Sequence, residues 1–319
     1  MAPKVLICGA IQTEQLFWAD DDVKQLLGPI AEYFDSTDRT DFLKGFQPGE
    51  KYEGTVAMFR DNNLTDKIGI FDKELVDAFP SSVKWIAHQR RTKHAKAKEY
   101  PFTLVIGIIV SNTPGAVDDA SATTALYLLI STFRNYAISE PQWTSSKIHD
   151  LTGHTLAILG LGGIGMRLAD LAHAFPMRII YHSRNKVADA PEWCEYFENV
   201  EEMLGQADVL SVHVPLRPDT VHLKGAIIIN TARGKVIDEE AMIRALEDGH
   251  LASIGLDVYP NEPEVNPKLL EFPYITLLPH MGTENQDTQR KMEVRALKNV
   301  QEYLTIGSGK GYCTGVPKV

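Results

Sequence analysis

A chain of 319 residues is long enough to form two domains, each with its own hydrophobic core. The chain is 44% hydrophobic and 23% charged, as in globular proteins, and its longest apolar run (102–110) is too short to span a bilayer. Its net charge of −10 argues against a protein that binds nucleic acid or an anionic membrane. Three separated cysteines, Cys8, Cys194 and Cys313, form no metal-binding or redox motif, which predicts reduced thiols, no metal and a cytoplasmic location.

The first part of the chain alternates predicted strands with predicted helices, which is the pattern of a parallel sheet covered by helices. A long helix with an acidic first turn follows. The predicted elements are strands at 4–8, 55–59 and 83–87 and helices at 20–27, 72–78 and 118–137.

Residues 155–172 combine a short apolar run, a Gly-x-Gly-x-x-Gly turn and the start of a helical pattern, and another predicted strand follows at 178–181. Gly160 permits the tight turn, Gly162 has no side chain to block a pyrophosphate, and Gly165 lets the helix pack close to the sheet. The helix N-terminus offers free N–H groups to phosphates. The pattern predicts a dinucleotide-binding unit, the alternative being a glycine-rich loop without a ligand.

The end of that second strand indicates which dinucleotide binds. NAD-binding units carry Asp or Glu there, about 20 residues after the glycines. This chain has Ser183 and Arg184 instead, and a hydroxyl with a guanidinium suits a 2′-phosphate. We therefore predict NADP, with NAD possible if Arg184 is an ordinary solvated arginine.

The alternation continues after this unit, and three later strands end in polar residues. Arg233, Asp257 with Glu262, and His280 follow these strands. Each also has a structural explanation, but ligands of an open parallel sheet bind beyond the carboxyl ends of its strands, which favours a common site. The predicted elements are helices at 200–205, 239–248 and 284–303 and strands at 209–214, 226–230, 253–256 and 275–278.

Six motifs in order carry a resemblance to a known family, at 112–118, 161–165, 213–215, 229–234, 255–263 and 278–282. With them, over nearly its whole length, the chain resembles the D-isomer specific 2-hydroxyacid dehydrogenases, within them the glyoxylate/hydroxypyruvate reductase-like and fungal D-mandelate dehydrogenase-like branch. The fold expected is α/β, with two Rossmann-like doubly wound parallel-sheet domains. The NAD(P)-binding domain (112–284) is expected to be inserted in a flavodoxin-like substrate domain (1–111 and 285–319).

The resemblance implies hydride transfer between NADP(H) and a small 2-oxo or D-2-hydroxy acid such as glyoxylate or hydroxypyruvate. It implies His280 as general acid/base, Glu262 as the carboxylate that orients it, and Arg233 as the guanidinium that holds the substrate. It also implies a homodimer formed through the long helix. The residues predicted to bind the cofactor are Gly160, Leu161, Gly162, Gly163, Ile164, Gly165, Ser183, Arg184, Thr231, Ala232, Arg233, Asp257 (at the nicotinamide carboxamide), His280 and Gly282.

The chain departs from the family pattern in three places. The basic segment 89–105 replaces a glycine turn whose N–H groups hold the substrate carboxylate, and the link 215–225 is about 11 residues, short for a parallel crossover. A milder shortening lies at 140–143. Because of these departures, one alternative is an impaired member that binds dinucleotide but turns over little. Two others stay open: activity on aromatic 2-oxo acids, as in D-mandelate dehydrogenases, and a corepressor-like dinucleotide sensor.

Overall fold

Two parallel β-sheets with helices on their faces make up the computed structural model of the chain. The structure describes residues 3–8, 19–61, 64–89, 107–136, 149–214 and 226–306. The chain divides into two units, one formed by Met1–Val117 with Asn285–Val319 and the other by Asp118–Glu284. The predicted fold class, two doubly wound parallel-sheet domains, is confirmed.

The first unit contains a five-stranded parallel sheet in the order β2-β1-β3-β4-β5, which is the flavodoxin-like order. A last helix brings the chain back to this sheet, where Tyr303 stacks on Trp85 with ring centroids 5.0 Å apart. The elements are β1 (Lys4–Cys8), α1 (Asp20–Leu26), β2 (Ala31–Tyr33), α2 (Arg39–Lys44), β3 (Thr55–Arg60), α3 (Leu64–Ile68), α4 (Lys73–Asp77), β4 (Trp85–His88), β5 (Ile109–Ser111) and the last helix, α9 (Gln286–Ile306).

The second unit contains a seven-stranded parallel sheet in the order β12-β11-β10-β9-β6-β7-β8, a dinucleotide-fold order with one extra edge strand. Three short 3₁₀ turns, at Gly28–Ile30, Gly234–Val236 and Pro267–Glu271, complete the described elements of both units. The elements of the second unit are α5 (Asp118–Arg134), β6 (Thr155–Leu159), α6 (Gly163–His173), β7 (Arg178–His182), β8 (Cys194–Tyr196), α7 (Val200–Leu204), β9 (Val209–Val212), β10 (Ala226–Asn230), α8 (Glu239–Glu247), β11 (Leu251–Leu256) and β12 (Thr276–Leu277).

The central strands of the second sheet are apolar because both of their faces are covered. All five residues of β6 and of β10 are buried, and continuous apolar runs are typical of strands packed on both sides. The parallel register aligns the carboxyl ends of neighbouring strands, so that Asn230 pairs with Val212 on one side and with Leu256 on the other. The loops that follow these strands therefore leave the sheet at one edge.

The segments in which the sequence departs from the family pattern fall mostly outside the described residues. This holds for 90–105, for 140–143 and for the short link 215–225. The strand after the link, β10, is nevertheless paired in parallel with both β9 and β11. Within the described residues, no helix has the length and apolar character needed to cross a membrane.

Candidate active site

The glycine turn between β6 and α6 has the geometry that its sequence predicts. Gly160 has a φ of +99°, a conformation that side-chain-bearing residues rarely adopt, and a β-carbon there would lie 2.8 Å from Val214 Cγ1. A β-carbon at Gly165 would overlap the carbonyl oxygen of Gly160, because α6 packs directly on the turn. The fold itself thus requires both glycines.

Gly162 differs from these two, because no atom lies within 4 Å of the position that its β-carbon would take. It is the N-cap residue of α6 and, having no side chain, it makes no side-chain cap of the helix. The first N–H groups of α6 are therefore not capped by the residue that precedes the helix. Open space beside a helix N-terminus fits the phosphates of a dinucleotide.

Ser183 and Arg184, at the end of β7, lie in different environments. Ser183 Oγ accepts a hydrogen bond of 2.9 Å from the N–H of Leu161, so the serine ties β7 to the glycine turn, a contact that the sequence did not indicate. Its own O–H remains able to donate. Arg184 is exposed and forms no ion pair with any residue in the described part of the chain. Its guanidinium is therefore accessible to an anion.

Arg233 follows β10 in a turn that the side chain of Asn230 holds in shape. The buried Asn230 accepts a hydrogen bond from Ala232 N and donates one to the carbonyl oxygen of Arg233, both at 3.0 Å. A β-carbon at Gly234 would overlap the backbone of Tyr259 and Pro260, so this glycine brings the turn against the loop after β11. Sequence reasoning identified Arg233 but not these two supporting residues.

Asp257, directly after β11, fixes the loop that carries His280. Its buried carboxylate accepts hydrogen bonds from Met281 N (2.6 Å) and Gly282 N (2.8 Å). Burial raises the pKa of the Asp257 carboxyl above its ordinary value of 3.8, while the two backbone donors act in the opposite direction. The structure thus gives Asp257 a positioning contact besides its predicted place near the cofactor.

His280 and Glu262 form a hydrogen-bonded pair at the edge of the second sheet. Nδ1 of His280 lies 2.7 Å from Glu262 Oε2, and Glu262 Oε1 accepts a 2.9 Å hydrogen bond from Tyr259 N. With both carboxylate oxygens engaged, the orientation of the imidazole is set. The His280 side chain is 44% exposed, and no group in the described ranges bonds its Nε2. The pair therefore presents Nε2 outward.

Tyr259 helps to hold the segments that carry this pair. Its hydroxyl donates a 3.0 Å hydrogen bond to the carbonyl oxygen of Leu278, two residues before His280. Burial, with the nearby carboxylates of Asp257 and Glu262, raises the pKa of Tyr259 to about 12, so the phenol stays protonated and keeps donating. This hydrogen bond joins the segment that precedes Glu262 to the segment that precedes His280.

Comparison with known proteins identifies the family. The model for the NAD-binding domain of D-isomer specific 2-hydroxyacid dehydrogenases matches residues 128–282. The 4-methyl-2-oxopentanoate reductase A of Aspergillus oryzae is 34% identical, covering 96% of each chain. The chain belongs to the D-isomer specific 2-hydroxyacid dehydrogenase family. The resemblance inferred from the six motifs is confirmed, and the matched region contains the glycine turn, Arg233, Glu262 and His280.

Solved structures of related dehydrogenases are similar in fold to this chain. A glyoxylate reductase from Paecilomyes thermophila is 36% identical with a TM-score of 0.80 and covers 99% of each chain. The apo form of Rhodotorula graminis D-mandelate dehydrogenase is 26% identical with a TM-score of 0.83 and covers 98% of this chain and 97% of that one. Membership of an NAD-binding enzyme family establishes a nicotinamide dinucleotide as the cofactor class.

A cavity of about 490 Å³ adjoins the Glu262–His280 pair of this dehydrogenase. Its walls are mostly apolar, because the 3₁₀ turn Pro267–Glu271 and strand β12 contribute aliphatic side chains. In the described part of the chain, no group of three His, Cys, Asp or Glu side chains is arranged to hold a metal ion. Besides the pair, the cavity is lined by Tyr259, Pro263, Val265, Leu270, Leu277, Leu278 and Pro279.

Because Asp257 is buried, we predict that the stability of the folded protein depends on pH in a specific way. Because its pKa is raised in the folded state, the protein gains stability from protonating it, and this gain is lost as the pH rises from about 3.8 through the raised value. The asparagine side chain of an Asp257→Asn variant cannot titrate in this pH range. We expect the difference in unfolding free energy, wild type minus variant, to fall across this window by about 1.4 kcal/mol per unit of pKa shift. Urea unfolding at pH 4 to 8 measures it, and a difference that grows with pH would contradict the assignment.

Proposed function

We propose that this chain is an NADP-dependent reductase of small 2-oxo acids such as glyoxylate or hydroxypyruvate, forming the D-2-hydroxy acid. The observation that carries the proposal is the Glu262–His280 pair, which holds the imidazole with Nε2 exposed at the edge where the glycine turn also lies. An imidazole so held can protonate an alkoxide as it forms on a carbonyl carbon. The relatives named glyoxylate reductase support this substrate class.

Each polar group of the site has a proposed role. His280 donates the proton, Glu262 keeps its ring in one orientation, and Arg233 binds the substrate carboxylate through its forked N–H groups. Asn230 positions Arg233 because it hydrogen-bonds both ends of the turn. Asp257 positions His280 through the backbone of the following two residues.

The cofactor would bind at the glycine turn and supply the hydride. The residues for which we propose this contact are those at 160–165, Ser183, Arg184, those at 231–233, Asp257, His280 and Gly282. The open space at Gly162 and the N–H groups at the N-terminus of α6 fit the pyrophosphate. The accessible Arg184 supports NADP over NAD, because a 2′-phosphate is a better partner for a guanidinium than a ribose hydroxyl. We propose that residues 112–284 form the NAD(P)-binding domain and that 1–111 with 285–319 form the substrate domain.

Cofactor preference can be tested at Arg184. Arg184→Ala should raise the Kd for NADPH about 10- to 100-fold, since hydrogen bonds to charged groups contribute roughly 1.5–3 kcal/mol, and should change the Kd for NADH less than about threefold. Fluorescence titration measures both constants. Lys186→Ala, which removes an exposed cation two residues away, is the matched control. Equal losses for NADPH and NADH would defeat the 2′-phosphate assignment.

A bulkier substrate is the second candidate, and the cavity beside His280 favours it. Its apolar lining suits a branched or aromatic side chain better than the hydrogen of glyoxylate. The relatives named 4-methyl-2-oxopentanoate reductase and D-mandelate dehydrogenase agree with this. Comparing kcat/KM for glyoxylate, hydroxypyruvate, 4-methyl-2-oxopentanoate and phenylglyoxylate decides between the candidates. NADPH binding without turnover of any of them would instead indicate the impaired member.

We further propose that the enzyme is a cytoplasmic homodimer. The described cysteines, Cys8 and Cys194, are unpaired and buried, as reduced thiols in such a protein would be. Burial raises the pKa of the Cys194 thiol to about 12, so it is unreactive. Light scattering with chromatography measures the oligomeric state.

A further inference from the structure

Asp118, the first residue of α5, lies against the glycine turn. A β-carbon at Gly163 would be 2.7 Å from Asp118 Cγ and 3.2 Å from Oδ1, and it would overlap Oδ2. The carboxylate therefore occupies the space beside the first residue of α6. Asp119, its neighbour, points to a different group: its Oδ1 accepts a 2.9 Å hydrogen bond from Arg167 Nε, one turn further along α6.

The place of Asp118 matters because the N-terminus of α6 is also where the cofactor pyrophosphate is proposed to bind. The positive end of the α6 dipole stabilises a carboxylate beside it. The pyrophosphate of a dinucleotide requires the same N–H groups and the same dipole end. Two anions within a few ångströms of each other repel. The open space at Gly162, which fits the pyrophosphate, adjoins Gly163, the residue against which the Asp118 carboxylate lies.

We propose that Asp118 is a negative determinant of dinucleotide affinity: its carboxylate stabilises the empty glycine turn and repels the cofactor pyrophosphate. The consequence is a cofactor held less tightly, which favours its exchange between turnovers. Because the carboxylate faces the turn rather than the end of β7, the effect applies to NADPH and NADH alike. This inference rests on the proposed function, which supplies the dinucleotide.

The affinity test uses Asp118→Asn, which keeps the shape of the side chain and removes its charge. We expect it to tighten the binding of NADPH and of NADH by the same factor, about 5- to 30-fold at low salt, and the gain to shrink as salt screens the repulsion. Asp119→Asn removes the same charge one residue away and should change either Kd less than about twofold. Fluorescence titration of the full chain measures all four constants.

A second test needs no cofactor. Gly163→Ala alone should lower Tm by about 3–10 °C because the new methyl group overlaps the Asp118 carboxylate. In an Asp118→Ala background the same substitution should leave Tm unchanged or raise it, since alanine is favoured over glycine in a helix. Thermal unfolding of the two single variants and the double variant measures this change of sign.

The outcomes separate the two proposals. Weaker binding by Asp118→Asn would make Asp118 a direct ligand of the cofactor and overturn the inference, and so would unchanged binding. Failure of the wild type and of both variants to bind NADPH and NADH would overturn the proposed function and the repulsion together. Additive Tm changes for Gly163→Ala and Asp118→Ala would show that the contact between them does not exist.

Discussion

Replacing His280 by glutamine should lower kcat for reduction of the best 2-oxo acid by about 10²- to 10⁴-fold, the usual contribution of a positioned general acid. Glutamine has a similar size and can hydrogen-bond Glu262, but it cannot donate a proton to an alkoxide. Because this substitution leaves the glycine turn unchanged, we expect the Kd for NADPH to change only a few-fold. Steady-state kinetics and fluorescence titration of one preparation measure both quantities.

Glu262→Gln is the matched variant for this experiment. It keeps an acceptor for Tyr259 N, but its neutral amide stabilises a charged imidazole less than a carboxylate does. We expect a smaller loss in kcat, about 10- to 100-fold, because a positioning residue acts through His280. The His280→Gln/Glu262→Gln double variant should be no worse than His280→Gln alone. If the loss in kcat of the double variant equalled the product of the two single losses, or if His280→Gln kept full turnover, the two residues would not act as a pair in the mechanism.

Substituting Gly234 by alanine should destabilise the second unit by about 3 kcal/mol or more, because overpacking against backbone cannot be relieved by a rotamer change. The new methyl group would overlap Tyr259 and Pro260. The turn that carries Arg233 would have to move away from the loop that carries Glu262. We therefore expect lower stability in urea unfolding and, in the folded fraction, a raised KM for the 2-oxo acid.

Gly162→Ala is the control for Gly234→Ala, because nothing lies within 4 Å of its β-carbon position and its φ of −90° suits any residue. Its stability should stay within about 0.5 kcal/mol of the wild type. Its affinity for NADPH should nevertheless fall, since the methyl group would enter the space left for the pyrophosphate. Stability loss at Gly162, or none at Gly234, would contradict these assignments.

The glycine turn was predictable from sequence because each of its constraints is local. A strand, a φ that favours glycine at Gly160 and a helix start follow within a few residues, and the structure confirms the geometry at both Gly160 and Gly165. The strands β6 and β10 were predictable for a related reason. Strands covered on both faces read as unbroken apolar runs.

The short elements were not predictable. The strands β2, β5 and β8 have three residues each, and nothing in so short a run distinguishes it from a loop. They become strands because β1, β4 and β7 offer them hydrogen-bonding edges. The long helix α5 also ends at Arg134 rather than near residue 137, and α9 begins at Gln286 rather than at residue 284. Helix ends depend on local capping, which periodicity does not report.

The sequence by itself determined the alternation of strands and helices, the glycine turn and the identity of the residues that end the strands, because these follow from local composition and spacing. The two-domain fold class followed from the family that its motifs resemble. Only the tertiary structure decided which of them meet. It brought Ser183 into a hydrogen bond with Leu161 and Asn230 into hydrogen bonds within the Arg233 turn. It also brought Asp257 into hydrogen bonds with the loop of His280, and Asp118 against Gly163. Apart from the local contact of Asn230 with its own turn, the partners in these contacts come from segments that are distant in sequence, and no pattern within one segment encodes a distance between two segments.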